Sequence, residues 1–180
     1  KDSITLLYAL KNLQRYYPKH FEVVAISVNP GFEEFDTKLL QNICDGAGVE
    51  LKIVQTNIKQ IVFDERKEKN PCSLCANLRR GTLNTTAKEW GCNKIALGHH
   101  FDDVIETILM GMLYGSQIQT MMPKLHSTNF EGMELIRPLY LVKEKSIISW
   151  ARSNDLHFLQ CACRFTENIE INHNSKRKEI

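Results

Sequence analysis

The stretch that decides the fold is KIALGHHFDDVIET, residues 94–107. Its first four residues predict a short strand, which Gly98 ends. Val104, Ile108 and Met112 then recur at helical spacing and predict a helix with one buried face. A strand that leads directly into an amphipathic helix is half of a βαβ unit.

The same alternation of strands and helices continues along the rest of the chain. Runs rich in β-branched residues predict strands, and apolar residues with a period near that of a helix predict helices. The predicted helices cover residues 3–15, 33–45, 58–66, 73–90, 102–114 and 143–154, and the predicted strands cover 21–28, 51–56, 94–97, 135–142 and 157–160. This order predicts an α/β fold, a doubly wound, Rossmann-like parallel sheet with helices on both faces. In such a sheet ligands bind at the carboxyl ends of the strands.

Length and composition fit one domain over residues 1–180, of which 43% are hydrophobic. No apolar run approaches the roughly 18 residues of a membrane span. No signal segment precedes the first helix, so we expect a cytoplasmic protein without membrane contact. The net charge of +2 neither requires nor excludes a nucleic-acid partner. Lys1 stands directly before a helix and Ile180 lies in a charged stretch, so we expect a domain truncated at both ends.

The first candidate site is the start of the chain. Lys1, Asp2 and Ser3 stand at the N-terminus of the first predicted helix. Free backbone N–H groups, the helix dipole, a hydroxyl and a lysine favour an anion there. Taken alone, the three residues favour an ordinary helix cap over a phosphate site.

The second candidate site follows the strand at residues 94–97. His99 and His100 stand at the strand end, and Asp102, Asp103 and Glu106 fall in the first helical turns. Acids in a first turn complement the helix dipole, which explains the carboxylates without explaining the adjacent histidines. Carboxylates near a phosphate site are the hard oxygen ligands that Mg²⁺ bound to ATP prefers.

The stretch from Leu97 to Thr107 resembles the signature of the PP-loop (N-type) ATP pyrophosphatase superfamily, whose fold is adenine nucleotide alpha hydrolase-like. The phosphate motif of that superfamily is Ser-Gly-Gly-x-Asp-Ser, so residues 1–3 match its second half and the Ser-Gly-Gly half is missing. The resemblance implies that Lys1, Asp2, Ser3, His99 and His100 bind ATP. It also implies that Lys1, with Asp102 or Asp103 and Mg²⁺, takes part in catalysis.

Cysteines form the third candidate site. A chain with a core of this size does not need disulfides, so closely spaced cysteines favour a metal or redox site. Two close pairs stand out, Cys72 with Cys75 and Cys161 with Cys163, whereas Cys44 and Cys92 are interpreted as ordinary core residues.

Residues 71–81, with Cys-x-x-Cys followed by a basic helix, resemble the tRNA 2-thiocytidine synthetase branch of the superfamily. Arg137-Pro138-Leu139 and residues 142–145 are similar to that branch as well. The resemblance implies a 4Fe–4S cluster held by Cys72, Cys75 and a third cysteine. That third ligand is Cys161 or Cys163, and Cys161 is favoured because it directly follows the predicted last strand.

The chemistry of thiolates supports such a cluster. Three thiolates leave one iron without a protein ligand, and that iron can hold the sulfur to be delivered. Two other interpretations of the cysteines stay open. One is a structural zinc site that uses all four, and the other is a redox dithiol.

The resemblance implies an ATP-dependent tRNA sulfurtransferase that forms AMP and pyrophosphate. Its substrate would be a tRNA pyrimidine, expected to be cytidine and converted to 2-thiocytidine. Arg79, Arg80 and the basic cluster at 176–178 are candidates for tRNA phosphate contacts. The sulfur donor would be sulfide or a persulfide carrier, and a homodimer is allowed although nothing in the sequence requires it.

Two alternative functions differ in what the cysteines do. A PP-loop ligase or amidotransferase would adenylate its substrate and transfer nitrogen, with zinc in the cysteine site. A scaffold that binds nucleotide or metal without catalysis is the other, and a genuine lack of Ser-Gly-Gly would favour it.

Overall fold

The computed structural model describes residues 1–32, 35–66 and 71–156, in which helices and strands alternate. In chain order they are α1 (Asp2–Leu13), β1 (Val24–Asn29), α2 (Thr37–Ala47), β2 (Glu50–Gln55), α3 (Ile58–Gln60), α4 (Pro71–Glu89), β3 (Lys94–Ala96), α5 (Phe101–Gly115), β4 (Lys124–His126), β5 (Glu134–Ile136) and α6 (Glu144–Ser153). A π-helical turn, Ile61–Glu65, directly follows α3, so the predicted helix at 58–66 is present in two parts. The strand predicted at 157–160 lies outside the described residues.

The strands pair as the βαβ pattern predicts, with one addition. Strands β1 and β2 are parallel, and β3 is parallel to β5. Strand β4 was not predicted, because its three residues include a single apolar side chain, Leu125; it pairs antiparallel with β5. The parallel α/β fold is therefore confirmed, and an antiparallel strand lies at the edge of the second group.

The strand predicted at 135–142 is wrong in length, because β5 ends at Ile136. Pro138 has no N–H to donate to a neighbouring strand. The chain turns there instead, with the Tyr140 N–H donating to the Arg137 carbonyl at 3.1 Å and the Val142 N–H donating to the Leu139 carbonyl at 2.8 Å. Because the chain turns here, Arg137 and Val142 lie at the edge formed by the carboxyl ends of the strands.

Helices on both faces form two hydrophobic cores. In the first core Leu6 of α1 and Ile147 of α6 pack with Leu139 and against Ala96 of β3. In the second core Val28 of β1 packs with α3, the π-helical turn and α4. Helix α4 contacts both β1 and β3, so it joins the two groups of strands.

Two cysteines away from the candidate metal site were predicted to be core residues. Cys44 is buried, and burial together with the nearby Asp45 raises the pKa of its thiol. Cys92 is only partly buried, although burial raises its thiol pKa too. The prediction is confirmed for Cys44, while Cys92 lies at the margin of the core.

No helix in the described ranges combines the length and the apolar character that crossing a membrane requires.

Candidate functional site

The end of β3 lies directly against the start of α1. A Cβ atom on Gly98 would stand 2.9 Å from both the Asp2 carbonyl carbon and the Ser3 nitrogen, closer than real Cβ atoms come. Only glycine permits this approach of two backbone segments. The structure thus brings together the two sites predicted separately at residues 1–3 and 98–103.

His100 fixes the start of α5 through a reciprocal pair of hydrogen bonds. Its backbone N–H donates to Asp103 Oδ2 at 3.0 Å, and the Asp103 N–H donates to His100 Nδ1 at 3.4 Å. The His100 residue is only 5% exposed. Because Nδ1 accepts a hydrogen bond, a neutral ring carries its proton on Nε2, and this atom lies 3.8 Å from Asp2 Oδ1.

Asp102 and Asp103 have different surroundings. Asp103 is engaged in the cap with His100, and its side chain is 18% exposed. Asp102 Oδ2 accepts the Glu144 N–H at the start of α6 at 2.7 Å, yet its side chain is 43% exposed. Both acids therefore hold helix starts in place, and Asp102 is the one more open to a ligand.

Lys1 is held between two carboxylates. Its Nζ atom lies 2.6 Å from Glu144 Oε1 and 3.1 Å from Asp2 Oδ1. Burial opposes the charge of Lys1, but its hydrogen bonds to Glu144 and Asp2 outweigh burial and raise the pKa of Lys1 above its ordinary value. The ammonium group is charged at neutral pH and lies at the start of α1.

Asp2 supplies an unusual acceptor at this place. Its Oδ1 atom is buried and accepts no hydrogen bond of good geometry within the described part of the chain, although the Lys1 ammonium group lies 3.1 Å away and His100 Nε2 lies 3.8 Å away. The charge of Asp2 is therefore compensated by Lys1 as long as Lys1 stays in this position. Carboxylates such as those of Asp2 and Asp102 are the hard oxygen ligands that Mg²⁺ prefers, while the N–H groups at the start of α1 fit a phosphate.

Arg137 connects the strand end to the neighbouring loop. Its Nε–H donates to His99 Nδ1 at 3.2 Å, and its Nη1–H donates to the Met122 carbonyl. Burial lowers the pKa of Arg137, the charge of Arg80 lowers it further, and Tyr140 opposes that change.

The cysteine pair lies in the first turn of α4. Pro71 opens the helix, a position where its missing N–H costs nothing. Cys72 is exposed and Cys75 is partly buried against the core of Val28, Ile58 and Val62, which belongs to the same face of the sheet as α4. Residues three apart on a helix share a face, and the positive end of the helix dipole favours anionic thiolates.

The rest of the predicted metal site cannot be placed beside this pair, because Cys161, Cys163 and the basic cluster at 176–178 lie outside the described residues. In residues 1–32, 35–66 and 71–156, no three His, Cys, Asp or Glu side chains are grouped as a metal site requires. Arg79 and Arg80 are exposed on α4.

Two site residues were not assigned a role from the sequence. Glu144 contacts both Asp102 and Lys1, and Arg137 contacts His99. Both belong to stretches that resemble the thiolation branch. Their position just after the carboxyl end of β5, beside that of β3, is the signal that could have identified them.

Two relatives found by sequence show what this chain is similar to. The tRNA-cytidine(32) 2-sulfurtransferase of Vibrio cholerae is 44% identical over 175 residues, which are 94% of this chain and 55% of the relative. The enzyme of the same name from Aliivibrio fischeri is 43% identical over 162 residues, or 89% of this chain and 52% of the relative. The chain thus spans about half the length of these relatives.

A solved structure supports the fold. The U34-tRNA thiolase NcsA from Methanococcus maripaludis, determined with its [4Fe-4S] cluster, superposes with a TM-score of 0.70 at 27% identity, covering 98% of this chain and 65% of NcsA. The PP-loop domain family matches residues 1–178 of the chain. This chain belongs to the PP-loop domain family.

Proposed function

We propose that this chain is the nucleotide-binding and sulfur-transferring part of an ATP-dependent tRNA thiolation enzyme. The observation that carries the proposal is that the carboxyl ends of two strands adjoin the two chemical sites. Cys75 of α4 packs against the core that includes Val28, near the end of β1, and Gly98, just after β3, lies against the start of α1. Helix α4 contacts both β1 and β3.

ATP would bind with its phosphates at the start of α1. Lys1 lies there with its charge retained, and exchange of its Glu144 partner for a phosphate oxygen would bring that charge to the reacting phosphorus. Asp102, whose side chain is 43% exposed, and Asp2 Oδ1, once Lys1 has turned toward the phosphates, are the oxygen ligands that we assign to Mg²⁺. Asp103 is committed to the α5 cap and is assigned a structural role instead.

The first chemical step would be adenylation of the base. The carbonyl oxygen of a tRNA pyrimidine attacks the α-phosphorus, a new O–P bond forms, and the bond to pyrophosphate breaks. In the second step sulfide attacks the activated carbon, the C–S bond forms, and AMP leaves with the former carbonyl oxygen. Adenylation is required because AMP is a far better leaving group than oxide.

Cys72 and Cys75 supply two thiolates for a 4Fe–4S cluster, and Cys161 or Cys163 is the expected third ligand. Such a cluster, when bound, offers one iron without a protein ligand at which sulfur can be held. The two described cysteines fit this group, because they lie about one turn apart on the same side of α4, near its start, and soft thiolates suit iron–sulfur clusters. Arg79 and Arg80 would then contact tRNA phosphates on the same helix.

Cytidine is the expected base, since the relatives at 43–44% identity carry that substrate in their name. The NcsA name specifies a U34 thiolase, so the fold alone does not select the base. The sulfur donor, a homodimer and a cytoplasmic location stay predictions.

Turnover with full-length protein tests the proposal. Purified protein, ATP, Mg²⁺, sulfide and unmodified tRNA should give 2-thiocytidine in digested tRNA, with one AMP and one pyrophosphate for each sulfur inserted. AMP formation without any thionucleoside would favour the adenylating ligase or amidotransferase. Failure to bind nucleotide at all would favour the scaffold.

A further inference from the structure

We infer that Arg137 is a positioning residue that fixes the His99 ring in one protonation state, with Nδ1 unprotonated and the proton on Nε2. The tautomer follows from the hydrogen-bond geometry, and its consequence for nucleotide binding rests on the proposed function. His99 then serves the site as a neutral hydrogen-bond donor and not as a base that accepts a proton on Nδ1.

The direction of the hydrogen bond decides the tautomer. A guanidinium group has N–H donors and no acceptor, and Arg137 Nε lies 3.2 Å from His99 Nδ1. His99 Nδ1 must therefore present its lone pair. A proton on Nδ1 would place two N–H groups against each other, and in the imidazolium form two positive charges as well.

The guanidinium is itself held from two sides. Its Nη1–H donates to the Met122 carbonyl, so the planar group bridges the loop before β4 and the end of β3. The backbone N–H of Arg137 donates to the Pro123 carbonyl at 2.9 Å. These bonds leave the guanidinium little freedom to rotate away from His99.

The pairing of β3 with β5 places His99 and Arg137 next to each other. Ala96 lies opposite Ile136 in the parallel pair of β3 and β5, and the Leu97 N–H donates to the Ile136 carbonyl at 2.9 Å. The two strands thus end side by side, with His99 and Arg137 just beyond their ends. Lysine would not match this contact, because its three donors radiate from a single nitrogen and do not reproduce the planar, fixed spacing of the Arg137 Nε and Nη1 donors.

Nitrogen-15 NMR of the full-length protein, with labelled histidine and no nucleotide, tests the inference. His99 should show one unprotonated and one protonated ring nitrogen at pH 7, with Nδ1 identified as the unprotonated one from its couplings to the ring protons. In Arg137→Met the ring should exchange between tautomers and the imidazolium, and both signals should move toward averaged positions. Arg152→Met removes an exposed arginine on α6 and is the matched control, which should leave the His99 signals unchanged.

Nucleotide binding gives the second readout. Arg137→Met should weaken ATP binding about tenfold or more, the scale of one hydrogen bond to a charged group. Arg137→Lys keeps the charge without the bridge and should restore only part of the affinity. If Arg137→Met does not fold, the wild-type spectrum and Arg137→Lys still decide the tautomer.

A protonated Nδ1 or an imidazolium in the wild-type spectrum at pH 7 would overturn the inference, as would an unchanged His99 in folded Arg137→Met. The spectrum is recorded without substrate, so a protein that shows the expected tautomer and binds no ATP would refute the proposed function alone.

Discussion

The nucleotide edge and the cysteine turn of α4 are built in opposite ways. At the nucleotide edge, the described residues hold one another, because Asp102 bonds to α6, Asp103 and His100 cap α5, and Lys1 bridges to Glu144. At the cysteine turn, Cys72 is exposed and the expected third ligand comes from far along the chain. The first site is preorganised by the fold, whereas we expect the second site to depend on a metal that unites its ligands.

This difference predicts that changes at the cysteine turn will affect chemistry alone, whereas changes at the nucleotide edge will affect both folding and binding.

Substitution of Cys72 by Ala gives the largest expected effect. Thiolation should fall to background because one cluster ligand is lost. ATP affinity should stay within about 0.5 kcal/mol of wild type, and so should the unfolding free energy when both proteins are compared without the cluster, as expected at an exposed position. Product analysis of tRNA, nucleotide titration and urea unfolding measure the three quantities.

The partly buried Cys92→Ala is the matched control and should retain thiolation. If Cys72→Ala lost thiolation and ATP binding together, the cysteines would be holding the fold, and the contrast between the two sites would fail.

Gly98→Ala should damage the nucleotide edge next most severely. The added methyl group would meet the Asp2 and Ser3 backbone, so β3 and α1 must separate. Overpacking of this kind costs about 1–3 kcal/mol of unfolding free energy. ATP affinity should fall with it, which calorimetry and urea unfolding can measure.

Gly115→Ala tests whether the effect is local. Outside its chain neighbours and the backbone of its own helix, no atom lies within 4 Å of a Cβ at that position, so folding and ATP binding should persist in this variant. Wild-type affinity in Gly98→Ala would contradict the close approach of the strand end and α1.

Two substitutions separate the two roles of Asp102, which are to accept the Glu144 N–H and to offer a charged oxygen to Mg²⁺. Asp102→Asn keeps an oxygen for the Glu144 N–H, so stability should hold while Mg²⁺-dependent ATP binding weakens about tenfold through the lost charge. Asp102→Ala should lose about 1 kcal/mol of stability as well, the usual cost of a missing helix cap. Equal binding by wild type and Asp102→Asn over a Mg²⁺ titration would remove Asp102 from the metal site.

The smallest effect lies away from both sites, at Glu134. Hydrogen bonds from Lys124, at 2.7 Å, and from Lys94 lower the pKa of Glu134 from its ordinary 4.5 to about 2. A carboxylate with a lowered folded pKa contributes stability above its unfolded pKa. That contribution should be lost as the pH falls from about 4.5 toward 2.

Urea unfolding of wild type and Glu134→Gln measures this contribution. The difference in unfolding free energy should be larger at pH 7 than at pH 3, and ATP binding at pH 7 should be the same for both proteins. A difference that grows toward low pH would contradict the lowered pKa.

The local features of the fold could be predicted from the sequence. Apolar spacing identified α1, α5 and α6 within two residues at each end, and Gly98 marked the end of β3. Strand β4 escaped prediction because a strand of three residues with one apolar side chain has no periodic pattern. The length of β5 was overestimated because the apolar residues Leu139 and Val142 were counted as part of the strand. They lie instead in the turns after β5 and pack into the first hydrophobic core.

The candidate site could be predicted only where its residues adjoin in sequence. His99, His100, Asp102 and Asp103 were identified from one stretch, but 38 residues separate Arg137 from His99 and 42 separate Glu144 from Asp102. Pairings over such distances depend on strand register and on the angle at which helices pack, and neither quantity is encoded in a local pattern.

The contents of the cysteine site test the central claim most directly. Full-length protein purified without oxygen should contain about four irons and matching acid-labile sulfide for each chain, the content of one 4Fe–4S cluster. Cys72→Ala should lose most of both, and Cys92→Ala should keep them. Zinc without sulfide in the wild-type protein would contradict the cluster mechanism and favour an adenylating enzyme of another kind.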